Sequence, residues 1–370
     1  MKIFLLICYF VFSFKGFSQN HYLIVGTYDS PKSEGIYVYQ FNSDNGSAEE
    51  LSHVKTSNPS YLCISPNKKF VYAVNENADK TGKGGYVTSF SFDKKSEVLT
   101  KINSQSSEGS NPCHIIVDKS GKWLIAGNYS SGNFSVIPVN KSGKLLPATQ
   151  TVQMEGKSID TVRQNSPHVH STFLTKNNST LYVADLGIDK VMNYSFDDKS
   201  GTVKPFVQNF ISTQPGSGPR HMDISADGKF MYVVQELSGM VTLFSTKNKM
   251  LQNLQTISTL PENYKGAAGS ADIHISPDGN FLYVSNRAES NTIAIYKINK
   301  KNGFLTLVGH QSTLGKAPRN FNFDPSGKYL LAANQNSNEI VIFERNSLTG
   351  LLKDSGKRIS VGKPVCIKWM

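Results

Sequence analysis

Four cysteines in 370 residues are too few for a disulfide framework, and none stands at the close spacing that zinc ribbons or redox dithiols use. Charge is sparse as well: Asp, Glu, Lys and Arg together make up 18% of the chain. The net charge of +11 comes from lysines spread through polar turns such as NKK, SGK and DGK, with no basic run interleaved with aromatics. A nucleic-acid surface is therefore not expected, although a basic protein does draw small anions toward itself. Long apolar runs are missing too. The stretch from Ile3 to Phe14 is shorter than the ~20 residues that span a bilayer, and no segment sustains a helical period. Nor is there a linker or low-complexity tract, so the chain reads as one folded unit, long for a single core.

The apolar stretch has the layout of a secretory signal peptide: Lys2 precedes it, and Gly16 and Ser18 supply small residues near a cut. Ile7, ahead of Cys8, is not the small residue that a lipoprotein signal needs. Residues 1–19 are expected to be removed on export to a periplasm or the medium, leaving 20–370 as one domain with no membrane anchor.

What the chain does have is a repeat. A strand-turn-strand unit recurs six times: SPNKKFVYAVNE from Ser65, DKSGKWLIAGNY from Asp118, TKNNSTLYVADL from Thr175, SADGKFMYVVQE from Ser225, SPDGNFLYVSNR from Ser276 and DPSGKYLLAANQ from Asp324. A seventh copy is split. YLIVGTY from Tyr22 supplies its second strand, and GKPVCIKWM at the other terminus supplies its first. Equivalent positions Tyr22, Phe70, Trp123, Thr180, Phe230, Phe281 and Tyr329 lie 48, 53, 57, 50, 51 and 48 residues apart. That period suits one four-stranded blade, so the fold expected is all-β, a seven-bladed β-propeller of antiparallel blades. Closing the last blade with strands from both termini removes an open sheet edge. Cys63, Cys113 and Cys366 fall on inner strands of different blades and read as buried free thiols, with no disulfide, metal or cofactor expected.

The repeat also locates a site. The tight turn joins the first two strands of each blade at one face, so the start of the first strand and the end of the second ring the channel mouth at the other. The first series is Ser60, Cys113, His170, Arg220, Ala271, Arg319 and Val365. The second is Tyr28, Glu76, Tyr129, Leu186, Glu236, Arg287 and Gln335. Such a concentration of titratable groups exceeds what a structural strand end needs. His170 has equal claim to a packing role, and Arg220 with Glu236 to a bracing ion pair. Arg287 and Arg319 are expected to face the channel unpaired, awaiting an anion. His114, His168, His221 and His274 share the inner strands, where packing roles suit each; His221 and His274 are also carried as substrate-side candidates with Glu76 and Tyr129. Asn75, Asn128, Asp185, Asn286 and Asn334 occupy one repeat position and suggest a shared blade-bracing hydrogen bond. Two connections, from Thr151 to Pro167 and from Thr256 to Ser270, are long enough to form a rim over the mouth.

With these residues in view, the chain resembles the lactonase-family seven-bladed propellers, which include cycloisomerase-type 6-phosphogluconolactonases and carboxymuconate lactonizing enzymes. The likeness is strongest in GPRHMDISADGKFMYVVQEL, LPENYKGAAGSADIHISPDGNFLYVSNR and APRNFNFDPSGKYLLAANQ. It implies a catalytic and anion-binding set of His170, Arg220, Glu236 and Arg287, all residues that the repeat already places at the mouth; Arg319, His221, Glu76, Tyr129 and His274 are substrate-side candidates from the repeat alone. The activity it implies is hydrolysis of a sugar-acid or other anionic lactone by a monomer, without a metal. His170 and Glu236 share the acid–base work in this reading, either serving as base. Muconate-type cycloisomerisation with the same residues, and a non-catalytic extracellular binding propeller, stay open as alternatives. Glu236 and Arg287 stand outside the turn-and-core pattern, so their replacement is expected to spare stability.

Overall fold

Each repeat closes on the same hydrogen bond. The side chain that opens the turn accepts from the backbone N–H five residues on: Ser65 from Phe70, Asp118 from Trp123, Thr175 from Thr180, Ser225 from Phe230, Ser276 from Phe281 and Asp324 from Tyr329, at 2.7–3.2 Å. The fourth turn residue takes a left-handed backbone, which explains glycine at 121, 228, 279 and 327; Lys68 and Asn178 hold the same position at φ 56° and 63°.

The computed structural model describes residues 20–79, 84–247 and 250–370, so the segment read as a signal peptide lies outside the described residues. Among them, 28 strands form seven four-stranded antiparallel sheets and no α-helix is present. The inner strands of blades one to seven are Leu62–Ile64, Pro112–Val117, Val169–Leu174, Pro219–Ile224, Ser270–Ile275, Pro318–Phe323 and Pro364–Trp369. Each packs against the next, and the seventh packs against the first, which closes the ring. Blade seven is shared by the termini as expected: Pro364–Trp369 pairs with Asn20–Thr27, with Val25 opposite Ile367 and Leu23 opposite Trp369.

Packing between blades follows from the period-2 pattern. Second strands such as Tyr329–Asn334 and Phe281–Asn286 are buried along their whole length, and burial of each large apolar side chain is worth ~1.5–3 kcal/mol. Repeated polar ties fix one blade to its neighbours. The hydroxyls of Tyr232 and Tyr283 donate to the carbonyls of Gly303 and Gly350, in the outer hairpins of the following blades, at 2.7 and 2.6 Å. The shared asparagine position braces as expected: Asn75, Asn128, Asn286 and Asn334 donate from Nδ2 to the carbonyls of Ser57, Ser107, Thr259 and Thr313 in the connections entering their blades. Asp185 has no such donor and instead accepts from the N–H groups of His168 and Gly187.

At the mouth the regularity stops. In blades two, three, four and six the pairing of first and second strands slips at Cys113, His170, Arg220 and Arg319, and in blade five it slips between Ser270 and Ile273. Bulges of this kind release a residue from the ladder and re-aim its side chain. The two long connections are shorter than expected, because Gln150–Gln153 and Gln252–Ser258 are outer strands; the connections proper cover 154–168 and 259–269.

Candidate active site

The bulge in blade four and the end of its second strand bring Arg220 and Glu236 together. Arg220 Nε donates to Glu236 Oε2 at 2.8 Å and Nη1 to the Ala271 carbonyl at 2.6 Å. Arg220 is enclosed, with 1% of its side chain exposed, so it is a brace for Glu236 and not a surface that a ligand reaches. Arg287, at the equivalent position of blade five, donates from Nη2 to the same Oε2 at 2.9 Å and from Nε to the Gly269 carbonyl at 3.0 Å. The expectation that Arg287 stands unpaired is thus corrected: a carboxylate from the preceding blade pairs with it.

A third guanidinium completes the grip, and it comes from a residue that the repeat does not show. Arg163 Nη2 donates to Glu236 Oε1 at 2.8 Å and to the Tyr129 hydroxyl at 3.1 Å. Its connection is folded locally by Asp160, whose Oδ1 accepts from the N–H groups of Val162 and Arg163, while Gln164 N–H returns to the Asp160 carbonyl. This turn lays Arg163 over the mouth. Burial alone would raise the Glu236 carboxyl pKa, but Arg287, Arg220 and Arg163 together hold it well below the usual carboxylate range. Removing one partner of such a buried cluster typically costs ~3–5 kcal/mol, so the expectation that Glu236 can be replaced at no structural cost is also corrected.

His170, freed by the bulge of blade three, lies beside this cluster with Nε2 4.0 Å from Glu236 Oε2. Its ring meets Tyr129 edge-on at 5.6 Å, and Tyr129 stacks in turn on His168 at 4.4 Å. Burial, reinforced by Arg220, His221 and Arg319, pushes its pKa well below the usual histidine value, so the imidazole is neutral.

Across the mouth, the Arg319 guanidinium sits over the Tyr28 ring at 5.3 Å, and the Tyr28 hydroxyl donates to Glu76 Oε2 at 2.8 Å. Arg319 forms no ion pair among the described residues. Four guanidinium groups (Arg163, Arg220, Arg287, Arg319) thus face two carboxylates (Glu76, Glu236), and the mouth carries an excess of two positive charges.

His221 and His274 do not join this ring. His221 Nδ1 pairs with Asp272 Oδ1 at 2.7 Å and His274 Nε2 with Asp272 Oδ2 at 3.0 Å. Asp272, which the repeat did not single out, is also bonded to the Asn320 side chain, and Asn320 accepts from Ile367 N–H at 2.7 Å. Arg220, His221, Asp272 and Asn320 are all buried and form a floor beneath the mouth. Only the edge of His221 reaches the site, 5.3 Å from the His170 ring centroid. Cys63, Cys113 and Cys366 are buried free thiols, and among the described residues no group of three His, Cys, Asp or Glu is placed to hold a metal ion.

The mouth can thus hold an anion, keep a carboxylate ionised and offer a neutral imidazole beside it. The family described as lactonase, 7-bladed beta-propeller, matches residues 22–369. The 6-phosphogluconolactonase of Formosa agariphila is 40% identical over 338 residues, covering 90% of this chain and 94% of its own. The 6-phosphogluconolactonase of Bacillus subtilis is 34% identical over 353 residues, covering 94% and 97%. The solved structure of the periplasmic gluconolactonase of Pseudomonas aeruginosa superposes with a TM-score of 0.89 at 36% identity, over 95% of this chain and 99% of that one.

Proposed function

The chain belongs to the lactonase family of seven-bladed β-propellers, and we propose that it hydrolyses the ring ester of an anionic sugar-acid lactone at the mouth built around Glu236. The observation that carries this reading is the grip of Arg163, Arg220 and Arg287 on Glu236 next to the neutral His170. Lactone hydrolysis needs a proton acceptor for water and a cation at the developing oxyanion, and both are present within one small volume.

The two candidate bases are not equivalent. Both are weakened as bases, Glu236 by its guanidiniums and His170 by burial among positive charges, but both Glu236 oxygens are held by arginines, whereas His170 keeps a free lone pair on Nε2 in the tautomer protonated at Nδ1. In the 4.0 Å gap between His170 Nε2 and Glu236 Oε2, one water at ~2.8 Å from each would donate one O–H to either atom. His170 takes the proton as the water oxygen adds to the lactone carbonyl carbon. The nearby Glu236 charge stabilises the imidazolium so formed. Arg287, which reaches the mouth with 18% of its side chain exposed, faces the tetrahedral oxyanion. Collapse breaks the bond between the carbonyl carbon and the ring oxygen, and the imidazolium returns its proton to that oxygen, giving the open hydroxy acid. Arg319, the mouth arginine without a carboxylate partner, holds the anionic group of the substrate. Guanidinium groups supply the polarising charge, so the step needs no metal.

Turnover of a panel of aldonolactones by purified 20–370, with and without a phosphate group and with EDTA present throughout, tests the reading. Hydrolysis of at least one anionic lactone is expected; ligand binding without turnover across the panel would favour a binding propeller instead. Export belongs to the same proposal. It rests on the composition of residues 1–19 and on the periplasmic relative, and N-terminal sequencing of the exported protein should find a start between Gly16 and Asn20.

A further inference from the structure

Below the floor, toward the turn end of the channel, lies a cavity of about 490 Å³ that the floor residues His221 and Asp272 line but His170, Arg220, Glu236, Arg287 and Arg319 do not. Its wall combines apolar surface from Phe173, Met222 and Trp369 with Lys368, Asp223 and the pair of His274 and Asp272. Phe173, Lys368 and Trp369 are only half-buried, so solvent reaches the space.

Lys368 takes no part in the ion pairs of this wall among the described residues. Asp272 is committed to His221, His274 and Asn320; burial lowers the pKa of His274, but Asp272 more than restores it, so the two groups form a neutralised pair. Asp223 accepts backbone N–H groups of Ile224 and Ile275 at 2.8 Å each, and burial shifts it toward its protonated form. Among the described residues, Lys368 has only the Tyr61 hydroxyl at 3.3 Å and the Tyr61 ring 4.3 Å from Nζ. An ammonium beside apolar surface, with N–H groups to spare and no counter-ion, calls for an anion.

From this geometry we infer that the turn-end cavity is a second ligand site, separate from the mouth, for a small carboxylate with a flat apolar body. The carboxylate meets Lys368 and the Tyr61 hydroxyl, the body lies against Phe173, Met222 and Trp369, and a hydroxyl at its far end can donate to Asp223.

Calorimetric titration of the 20–370 protein with 4-hydroxybenzoate and with its uncharged amide, 4-hydroxybenzamide, tests this. The acid should bind and the amide should bind about ten-fold more weakly or worse, the loss expected for one charge-assisted hydrogen bond. Lys368→Met should weaken the acid by a similar factor, while Arg319→Ala, at the mouth, should leave it unchanged. Equal binding of acid and amide, no binding of the acid at millimolar concentration, or loss of the acid in Arg319→Ala with none in Lys368→Met would each overturn the assignment. The acid–amide comparison uses the unaltered protein, so it decides even if Lys368→Met fails to fold.

Discussion

The turn end and the mouth end of the inner hairpins are built on opposite rules. At the turn end six blades repeat one hydrogen bond, from Ser65 to Phe70 through Asp324 to Tyr329, with one left-handed residue between. At the mouth end no two of Cys113, His170, Arg220 and Arg319 make the same contacts, and a bulge lifts each out of its ladder. Repetition marks the positions that hold the blades, and divergence marks the positions free to carry chemistry. Changes at the turn end and in the closing strand should therefore act on stability, and changes at the mouth on turnover.

The largest effect expected is on the ring itself. Deleting Pro364 to Met370 removes an inner strand whose Val365, Cys366 and Ile367 are buried, together with its pairing to Asn20–Thr27. Thermal denaturation followed by circular dichroism should show no cooperative transition resembling that of the complete 20–370 protein. A melt close to that of the complete protein would mean that the ring does not depend on this closure. Next is the mouth: Arg319→Ala should raise KM for an anionic lactone by about ten- to a hundred-fold, the range for one charged hydrogen bond, with kcat little changed and uncharged lactones hardly affected. Equal loss on charged and uncharged substrates would remove Arg319 as the anion clamp.

A turn-end substitution should do the reverse. Asp324 is buried and accepts from Tyr329 N–H, Ser326 N–H and the Ser43 hydroxyl. Asp324→Ala should cost about 1–3 kcal/mol in urea unfolding while kcat/KM stays near its original value. The smallest effect concerns Asp185, the one carboxylate at the asparagine position, whose pKa burial raises to about 7 although backbone N–H groups of His168 and Gly187 oppose the shift. The unfolded chain releases this proton near pH ~4, so between there and about 7 the folded state binds more protons and stability falls as pH rises. Asp185→Asn should remove that slope, stabilising the protein at pH 8 more than at pH 5. Parallel stability curves for the two proteins across that range would exclude Asp185 as its source.

The same contrast explains what the sequence discloses. Blade number, the shared seventh blade and the turn chemistry are legible because one local solution is written out repeatedly. Glu236, Arg220, His170 and Arg287 are legible as departures from the repeat at aligned positions. Arg163 is not: the length of its connection marks a rim, but only the Asp160 turn decides which side chain comes back to the mouth. That Glu236 and Arg287 face one small volume is legible from their common repeat position in adjacent blades; that they close to an ion pair is not, since no alignment measures the distance between blades four and five. His221 and His274 sit on inner strands as expected, yet Asp272 draws His221 into the floor and His274 below it, and Asp272 and Asn320 have no signature in the repeat.

His170 offers the most direct test of the claim that the mouth hydrolyses lactones. It touches Glu236 at 4.0 Å without a tight ion pair, so His170→Asn can be made without stranding a guanidinium. Steady-state hydrolysis of the best anionic lactone should fall by about 100- to 10,000-fold in kcat, while the melting temperature stays within a few degrees of the parent protein. Unchanged kcat in a folded His170→Asn protein would contradict the account.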